Sequence, residues 1–276
     1  MAAVKKRPNL WGWFWVLLGV FYFVVPLAGT LEFSLEMKRG VLSFASYEAV
    51  FHDPEFARTF LFSNQMALLT IIGSLALIVP TAYWVHLRVP HLRPVVEFIT
   101  LMPFVIPAIV LVFGMIKLYK YPIAIGSFTL MQAPTNSVTG TNALLVAGYI
   151  ILAMPYMYRA VDTGLRAMDV RNLTEAAQSL GANWFTIIVR VILPNLRAAL
   201  LSGALLTFAI VVGELTLANF LDRPAFGPYL WLLGQHRAYE PAALTIISFS
   251  LTWAAMGTIF LISRGRGGQG QVAGAH

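Results

Sequence analysis

Six long apolar runs constrain this chain more than any other feature: residues 10–31, 60–85, 98–116, 143–158, 198–221 and 242–263. A helix rises about 1.5 Å per residue and a hydrocarbon core is about 30 Å thick, so a span needs roughly 20 apolar residues. The runs meet that length, the short fourth one by extending into its flanking turns. The expected fold is therefore all-α: a polytopic membrane protein with six transmembrane helices. Composition agrees. Hydrophobic residues make up 58% of the chain, charged residues 11%, and mean hydropathy is +0.74. Soluble domains carry roughly 25% charge, so a water-facing surface cannot be built from these residues. The chain has no cysteine, which excludes a disulfide scaffold, a cysteine-based zinc site and a thiol nucleophile.

The first run follows Lys5, Lys6 and Arg7, as a signal peptide would. Its apolar stretch is about 22 residues, longer than the roughly 7–15 of a signal core, and reads as an uncleaved helix. The formal charge of +7 raises the question of nucleic acid, which needs basic residues clustered on a solvated face. Here they sit in short gaps between apolar runs, so no nucleic-acid partner is expected. Placing the N-terminus inside puts twelve of the 19 Lys and Arg residues on the inner side, among them Lys5, Lys6, Arg7, Arg88, Arg93, Arg159, Arg166, Arg171, Arg190, Arg197, Arg264 and Arg266. That excess predicts two cytoplasmic termini by the positive-inside rule. The expected layout is a tail over 1–9, a membrane domain over 10–264 and a C-terminal tail over 265–276. Trp11, Trp13 and Trp15 suit an interfacial aromatic belt.

The loop at 119–142 is polar and rich in turn residues. The loop at 159–197 instead carries helical patterns of its own. Asn172 can cap a short helix in which Glu175 falls at the third position, favoured by the helix dipole. Gly181 sits where a left-handed stop is wanted. Leu173, Ala176, Ala177 and Leu180 form a narrow apolar stripe. A second stripe, Trp184, Ile187, Ile188 and Val191, follows a possible cap at Asn183 and precedes Leu193-Pro194. Two short amphipathic helices hinged at a glycine are expected. Such a pair either lies on the bilayer surface or docks another protein.

The pattern Glu175-Ala176-Ala177, three residues, Gly181, nine residues, Val191, one residue, Leu193-Pro194 resembles the EAA loop of permease subunits in binding-protein-dependent ABC importers of type I. That family has isoleucine where Val191 stands here. The resemblance implies a coupling helix seated on a cytoplasmic ATPase dimer, with Glu175, Ala176, Ala177 and Gly181 in the contact and Leu193 and Pro194 fixing re-entry into the fifth helix. It also implies a second permease subunit, an extracytoplasmic solute-binding protein and a bacterial inner membrane. The chain has no G-x-x-x-x-G-K-[ST] phosphate loop, so ATP is expected to be used by the partner, with no cofactor or metal held here and no catalytic residue. Met102–Pro107, Leu152–Tyr156 and Val212–Leu221 further resemble permeases for polyamines such as spermidine and putrescine. Aminophosphonate, ferric iron and oxyanion importers share the same layout.

Candidates for the solute path come from residues rare in lipid. Pro103 and Pro107, four apart, would share one face of a continuous third helix, as a static kink or a flexing gate. Glu214 is the one formal charge inside the six runs. On a continuous helix it shares a face with Gly203, Thr207 and Ala218, turned toward protein or a water-filled path. It is either a cation-attracting group near the outer mouth or a buried structural carboxylate. Glu97, just after Pro94, reads as a first-turn helix acid. Asp222, Arg223, His236, Arg237 and Glu240 flank outer turns where a binding protein could meet the chain. An intramembrane enzyme is disfavoured because His52, His86, His91, His236 and His276 all fall outside the runs and no H-E-x-x-H occurs. A secondary transporter or channel remains a rival, since a lone acidic residue in a span can relay protons.

Overall fold

The computed structural model describes residues 10–38, 41–125 and 128–265. The tail at 1–9, Arg39, Arg266 and His276 lie outside the described residues, so the termini-side basic residues Lys5, Lys6 and Arg7 do as well. Helices dominate: α1 (Leu10–Leu35), α2 (Ala45–Phe51), α3 (Pro54–Leu87), α4 (Arg93–Leu101), α5 (Ala108–Tyr119), α6 (Val138–Arg166), α7 (Val170–Ser179), α8 (Trp184–Ile187), α9 (Leu193–Gly213), α10 (Thr216–Phe220), α11 (Phe226–His236) and α12 (Glu240–Gly265). The loop after α5 holds one short antiparallel pair, β1 (Ile123–Ile125) and β2 (Phe128–Met131). Among the described residues, α1, α3, α6 and the rod Trp184–Gly213 are each long and apolar enough to cross a membrane. The pair Pro90–Phe104 and Ala108–Tyr119 makes a fifth span if its two bent halves count as one. The sixth expected run lies within α12.

The chain divides into two units. One comprises residues up to Pro54 with Leu232–Trp253. Within it, α1 buries none of its apolar window against the chain. Trp11, Trp13 and Trp15 are exposed, with Trp11 and Trp15 edge-to-face. The end of α1 is tied down by hydroxyls: Ser34 Oγ meets Tyr47 Oη at 2.7 Å, and Ser46 Oγ donates to the Ser34 carbonyl. Phe33 also packs on Tyr239.

The other unit, Glu55–Trp231 with the residues from Ala254 onward, contains the main core. Antiparallel α6 and α9 pack closely because small residues meet large ones. A Cβ at Gly203 would lie 2.8 Å from Met157 Sδ, and one at Gly164 would lie 2.6 Å from Leu196 Cδ2. Ile78, Val79, Ala82 and Tyr83 of α3 join Met157, Val161 and Leu165 of α6 and Ile187, Ile192 and Leu196 of the following helices in one buried cluster. Burying an aliphatic side chain of this size is worth about 1.5–3 kcal/mol.

Two apolar runs depart from continuous helices. The third is bent by 101° between its halves. Pro103 stands in a single 3-10 turn, Met102–Phe104, and Pro107 is the N-cap of α5 at φ −58°, ψ 139°. Each proline removes an N–H donor, and Ile106, preceding Pro107, is pushed away from helical geometry. The shared face expected for Pro103 and Pro107 therefore does not exist; they bracket a break. The fifth run is broken as well. α9 ends at Gly213, Glu214 is extended at φ −76°, ψ 127°, and α10 starts at Thr216. The face expected to link Gly203 and Thr207 with Glu214 and Ala218 stops at Gly213.

Candidate functional site

The segment after α6 folds as a helix that begins earlier than its sequence suggests. Asp169, not Asn172, is the N-cap of α7: its Oδ1 accepts from the Asn172 backbone N–H at 3.1 Å. Starting at Val170 places that side chain in the core, whereas starting after Asn172 would leave it outside. Glu175 thus sits beyond the first turn and pairs with Arg171, Nε to Oε1 at 2.9 Å, the i,i+4 spacing that brings side chains together on a helix. The C-terminal expectation holds. Gly181 has φ +80°, its N–H donates to the Gln178 carbonyl at 2.9 Å, and the Ala182 N–H reaches the Ala177 carbonyl at 3.0 Å. Those two bonds are a Schellman stop.

The face of α7 turned into the protein is Val170, Thr174 and Ala177, with Leu173 half-buried. Thr174 Oγ1 donates to the Val170 carbonyl and lies 3.2 Å from Tyr83 Oη of α3. The expected stripe is thereby corrected. Ala176 is exposed and Leu180 is 88% exposed, because the earlier start rotates the buried face. What α7 offers outward is Arg171, Glu175, Ala176, Gln178, Leu180 and Gly181. A groove of about 350 Å³ runs between α7, the end of α3 and α8, lined by Tyr83, Trp84, Arg88, Arg171, Glu175, Gln178 and Trp184 among others.

The second short helix is not separate. Asn183 caps α8, accepting from the Thr186 N–H at 2.8 Å, but the helix then continues through a π turn, Ile188–Ile192, directly into α9. Pro194 cannot donate to the Arg190 carbonyl and its ring crowds that group. A wider turn relieves the crowding, and Asn195 Nδ2 donates to the Val191 carbonyl at 2.7 Å. Leu193 and Pro194 therefore lie in a continuous rod rather than at a re-entry bend. Ile187 and Ile188 are buried as expected, while Trp184 and Phe185 remain largely exposed.

Glu214 finds backbone partners. Its Oε1 accepts from Thr216 N at 2.7 Å, and its Oε2 accepts from Leu217 N at 2.9 Å and Ala218 N at 3.4 Å. The carboxylate thus satisfies the orphan donors at the start of α10, which favour negative charge. Gly227 lies across this break: a Cβ there would fall 2.3 Å from the Glu214 carbonyl oxygen. Gly203 and Thr207 are buried within the bundle, Gly203 against α6. The elements thus bring Glu214 to a helix break while Gly203 and Thr207 stay in a packed interface; Pro103 and Pro107 belong to the other break.

The sequence reading missed a cluster of ionic side chains at the end of the bundle near α7. Asp162, 7% exposed, accepts from His86 Nε2 at 2.9 Å, from Arg93 Nη2 at 3.0 and 3.1 Å, and from Arg166 Nε at 2.8 Å. Glu97 accepts from Arg93 Nε at 3.0 Å and Arg166 Nη2 at 3.2 Å. Glu97 is therefore an ion-pair partner in the second turn of α4 rather than a first-turn acid. Asp162 is the buried member, while the Arg93 and Arg166 side chains stay 31% and 54% exposed, so losing one partner should cost less than the roughly 3–5 kcal/mol of a fully buried pair. Two complementary pairs, Arg93/Glu97 and Asp162/Arg166, were visible at i,i+4 spacing; what brings the two pairs together was not.

Residues 79–265 match the family described as "Binding-protein-dependent transport system inner membrane component". The chain is 25% identical over 249 residues to the "Spermidine/putrescine transport system permease protein PotB homolog" of Mycoplasma genitalium, covering 87% of this chain and 84% of that one. It is 24% identical over 206 residues to the "Spermidine/putrescine transport system permease protein PotB" of Escherichia coli, covering 72% and 74%. Its fold is similar to a chain of a bacterial ABC transporter involved in import of the acidic polysaccharide alginate, with a TM-score of 0.68, 15% identity and coverage of 91% and 93%. A second structure of a bacterial alginate ABC transporter, in complex with alginate pentasaccharide-bound periplasmic protein, gives a TM-score of 0.66 at 15% identity, covering 92% and 93%. With the apolar spans and the capped helix between the fourth and fifth runs, this match over most of the chain places the protein in the family of binding-protein-dependent transport system inner membrane components.

Proposed function

We propose that this chain is the permease subunit of a polyamine ABC importer, forming half of a solute path driven by a separate cytoplasmic ATPase dimer that seats on α7. The observation that carries the coupling reading is the build of α7. Its cap at Asp169 and stop at Gly181 fix both ends, its Val170–Thr174–Ala177 face is sunk in the core, and Glu175, Ala176, Gln178 and Leu180 are left outward. A partner pressing on that face moves the core beneath it. The polyamine assignment is supported by the relatives, which are named as spermidine/putrescine transport system permeases. ATP is used by the ATPase, and this chain holds no cofactor, metal or catalytic residue of its own.

In this reading the chain crosses a bacterial inner membrane six times, with α4 and α5 as one broken span, α12 as the sixth and both termini in the cytoplasm. A second permease, another copy or a homologous chain, completes the path, and a solute-binding protein delivers solute from outside. The two broken spans supply irregular backbone at membrane depth, which is tolerated where it is covered by protein or lines a cavity. Glu214 and the Pro103–Pro107 bend are the segments of this chain proposed to border the path, with Gly203 and Thr207 as the packed wall behind Glu214.

The test is uptake of labelled spermidine by proteoliposomes containing the complete importer. Transport should require ATP and the binding protein, and should persist when a protonophore collapses the proton gradient. Gly181→Trp should lower uptake at least tenfold while the ATPase continues to hydrolyse. Uptake that follows the proton gradient and ignores ATP would instead identify a secondary transporter, and intact uptake by Gly181→Trp would remove α7 from the coupling contact.

A further inference from the structure

We infer that the ionic cluster of Asp162, Arg166, Arg93, Glu97 and His86 is the mechanical link between α7 and the broken third span, with Asp162 and Arg93 as positioning residues for transport. The inference rests on the proposed seating of an ATPase on α7. On one side of the cluster, Asp162 and Arg166 occupy the last two turns of α6, and only residues 167–169 separate that helix from α7. Val170 and Ala177 of α7 are buried in the same cluster as Tyr158, Val161 and Leu165 of α6. The end of α6 and α7 therefore move as one packed body.

On the other side, α4 is held by few apolar contacts. Of its nine residues only Thr100 is buried, and half-buried Val96 packs against the core cluster, so the ionic bonds carry much of its attachment. Its polar attachment is the Arg93 guanidinium, which reaches both Asp162 oxygens through Nη2 and Glu97 through Nε, and the Arg166 bond to Glu97. A forked guanidinium fixes direction as well as distance, and the near-complete burial of Asp162 protects the Arg93–Asp162 bonds from the solvent screening that weakens exposed pairs such as Arg166–Glu97. Beyond α4 the chain enters the 3-10 turn and the 101° bend. A cavity of about 220 Å³, lined by Ile99, Met102, Pro103, Ile106, Leu111 and Ile151 among others, lies against that bend and leaves space for it to change angle. A displacement of α7 thus reaches the bend through a contiguous set of contacts whose central element is ionic.

The experiment uses the complete importer in proteoliposomes and reads spermidine transported per ATP hydrolysed, together with retention of the ATPase on purification. Asp162→Asn and Arg93→Gln should each retain the ATPase and its hydrolysis but lower the transport-to-hydrolysis ratio at least tenfold. The double variant should fall no further than the worse single one, because both changes remove the same link. A purely structural staple would lower yield and thermal stability with the ratio preserved, and that result overturns the inference, as would losses that multiply in the double variant. Should Asp162→Asn fail to assemble, Arg93→Lys keeps the charge and loses the fork; an unchanged ratio there is equally fatal. Failure of the underlying docking reading shows separately, as Gly181→Trp retaining full uptake.

Discussion

Two residues with left-handed backbone show how differently the same geometry is written in sequence. Gly181 at φ +80° and Asp222 at φ 53° both follow helix ends closed by paired backbone bonds; at the second, Asp222 N donates to the Asn219 carbonyl and Arg223 N to the Ala218 carbonyl. A side chain in this region costs about 1–2 kcal/mol, less for aspartate than for most residues. A Cβ on Gly181 would meet nothing within 4 Å, so Gly181→Ala should lower stability by the backbone cost alone, about 1 kcal/mol. Asp222→Gly should raise stability by up to about 1 kcal/mol. Thermal midpoints of the purified protein in detergent should move in opposite directions; a fall for Asp222→Gly would mean that its carboxylate holds something more valuable than relaxed backbone. Gly181 was readable because a glycine after a helical pattern has one common meaning. Asp222 was not, since aspartate in a turn announces no particular φ. The cap of α7 was misplaced by one turn for a related reason: Asp169 and Asn172 are both good caps, and burial of Val170, a tertiary effect, decided between them.

At the scale of elements, hydropathy located apolar segments, four or five of which are long enough to span among the described residues, and misjudged their continuity. Apolar composition says that a segment belongs in lipid but not whether its axis is straight. The third run held its own warning in Pro103 and Pro107, although a pair of prolines four apart is compatible with a kinked helix or with the observed 101° break. The fifth run held less: Gly213 and Glu214 mark a break only once the carboxylate is seen accepting from Thr216, Leu217 and Ala218. Conversely, Leu193-Pro194 looked like a boundary and lies inside a rod. The break after α9 depends on the backbone approach of Gly227 to Glu214. Gly227→Ala forces a Cβ against main chain that has no flexible end to move, and should cost about 1–3 kcal/mol as overpacking does. Gly213→Ala, with no atom within 4 Å of the added Cβ, should be tolerated at that site. Comparing folded yield and thermal midpoint of the two checks this; equal behaviour would mean that α11 can shift away from the break.

For the whole molecule, the distribution of charge remains the guide to topology. Arg88, Arg93, Arg159, Arg166, Arg171, Arg190 and Arg197 gather on the connections that carry the ionic cluster and α7, the side proposed to face the cytoplasm. In the proposed six-crossing topology the C-terminus emerges on that same side. A fluorescent reporter that matures only in the cytoplasm should light up when fused after residue 276, and alkaline phosphatase fused there should be inactive; the reverse pattern would require an odd number of crossings or an inverted orientation. The sequence thus made the membrane class and the helix with its glycine stop legible, because each is a local or compositional property. The ionic cluster was illegible because its members come from three helices 86, 93–97 and 162–166 in the chain, and nothing local says that they meet.

The π turn at Ile188–Ile192 has a further consequence for how such a molecule is tuned. A π turn holds a surplus residue relative to regular helix, and each residue of a helix advances about 100° around the axis and about 1.5 Å along it. The direction of the α8 face, relative to the side of α9 that packs on α6, is therefore set like the offset of a crank by one surplus residue. Because Ile187, Ile188, Ile192 and Leu196 are all buried in one core, losing that residue would turn one part of the rod out of register with the other.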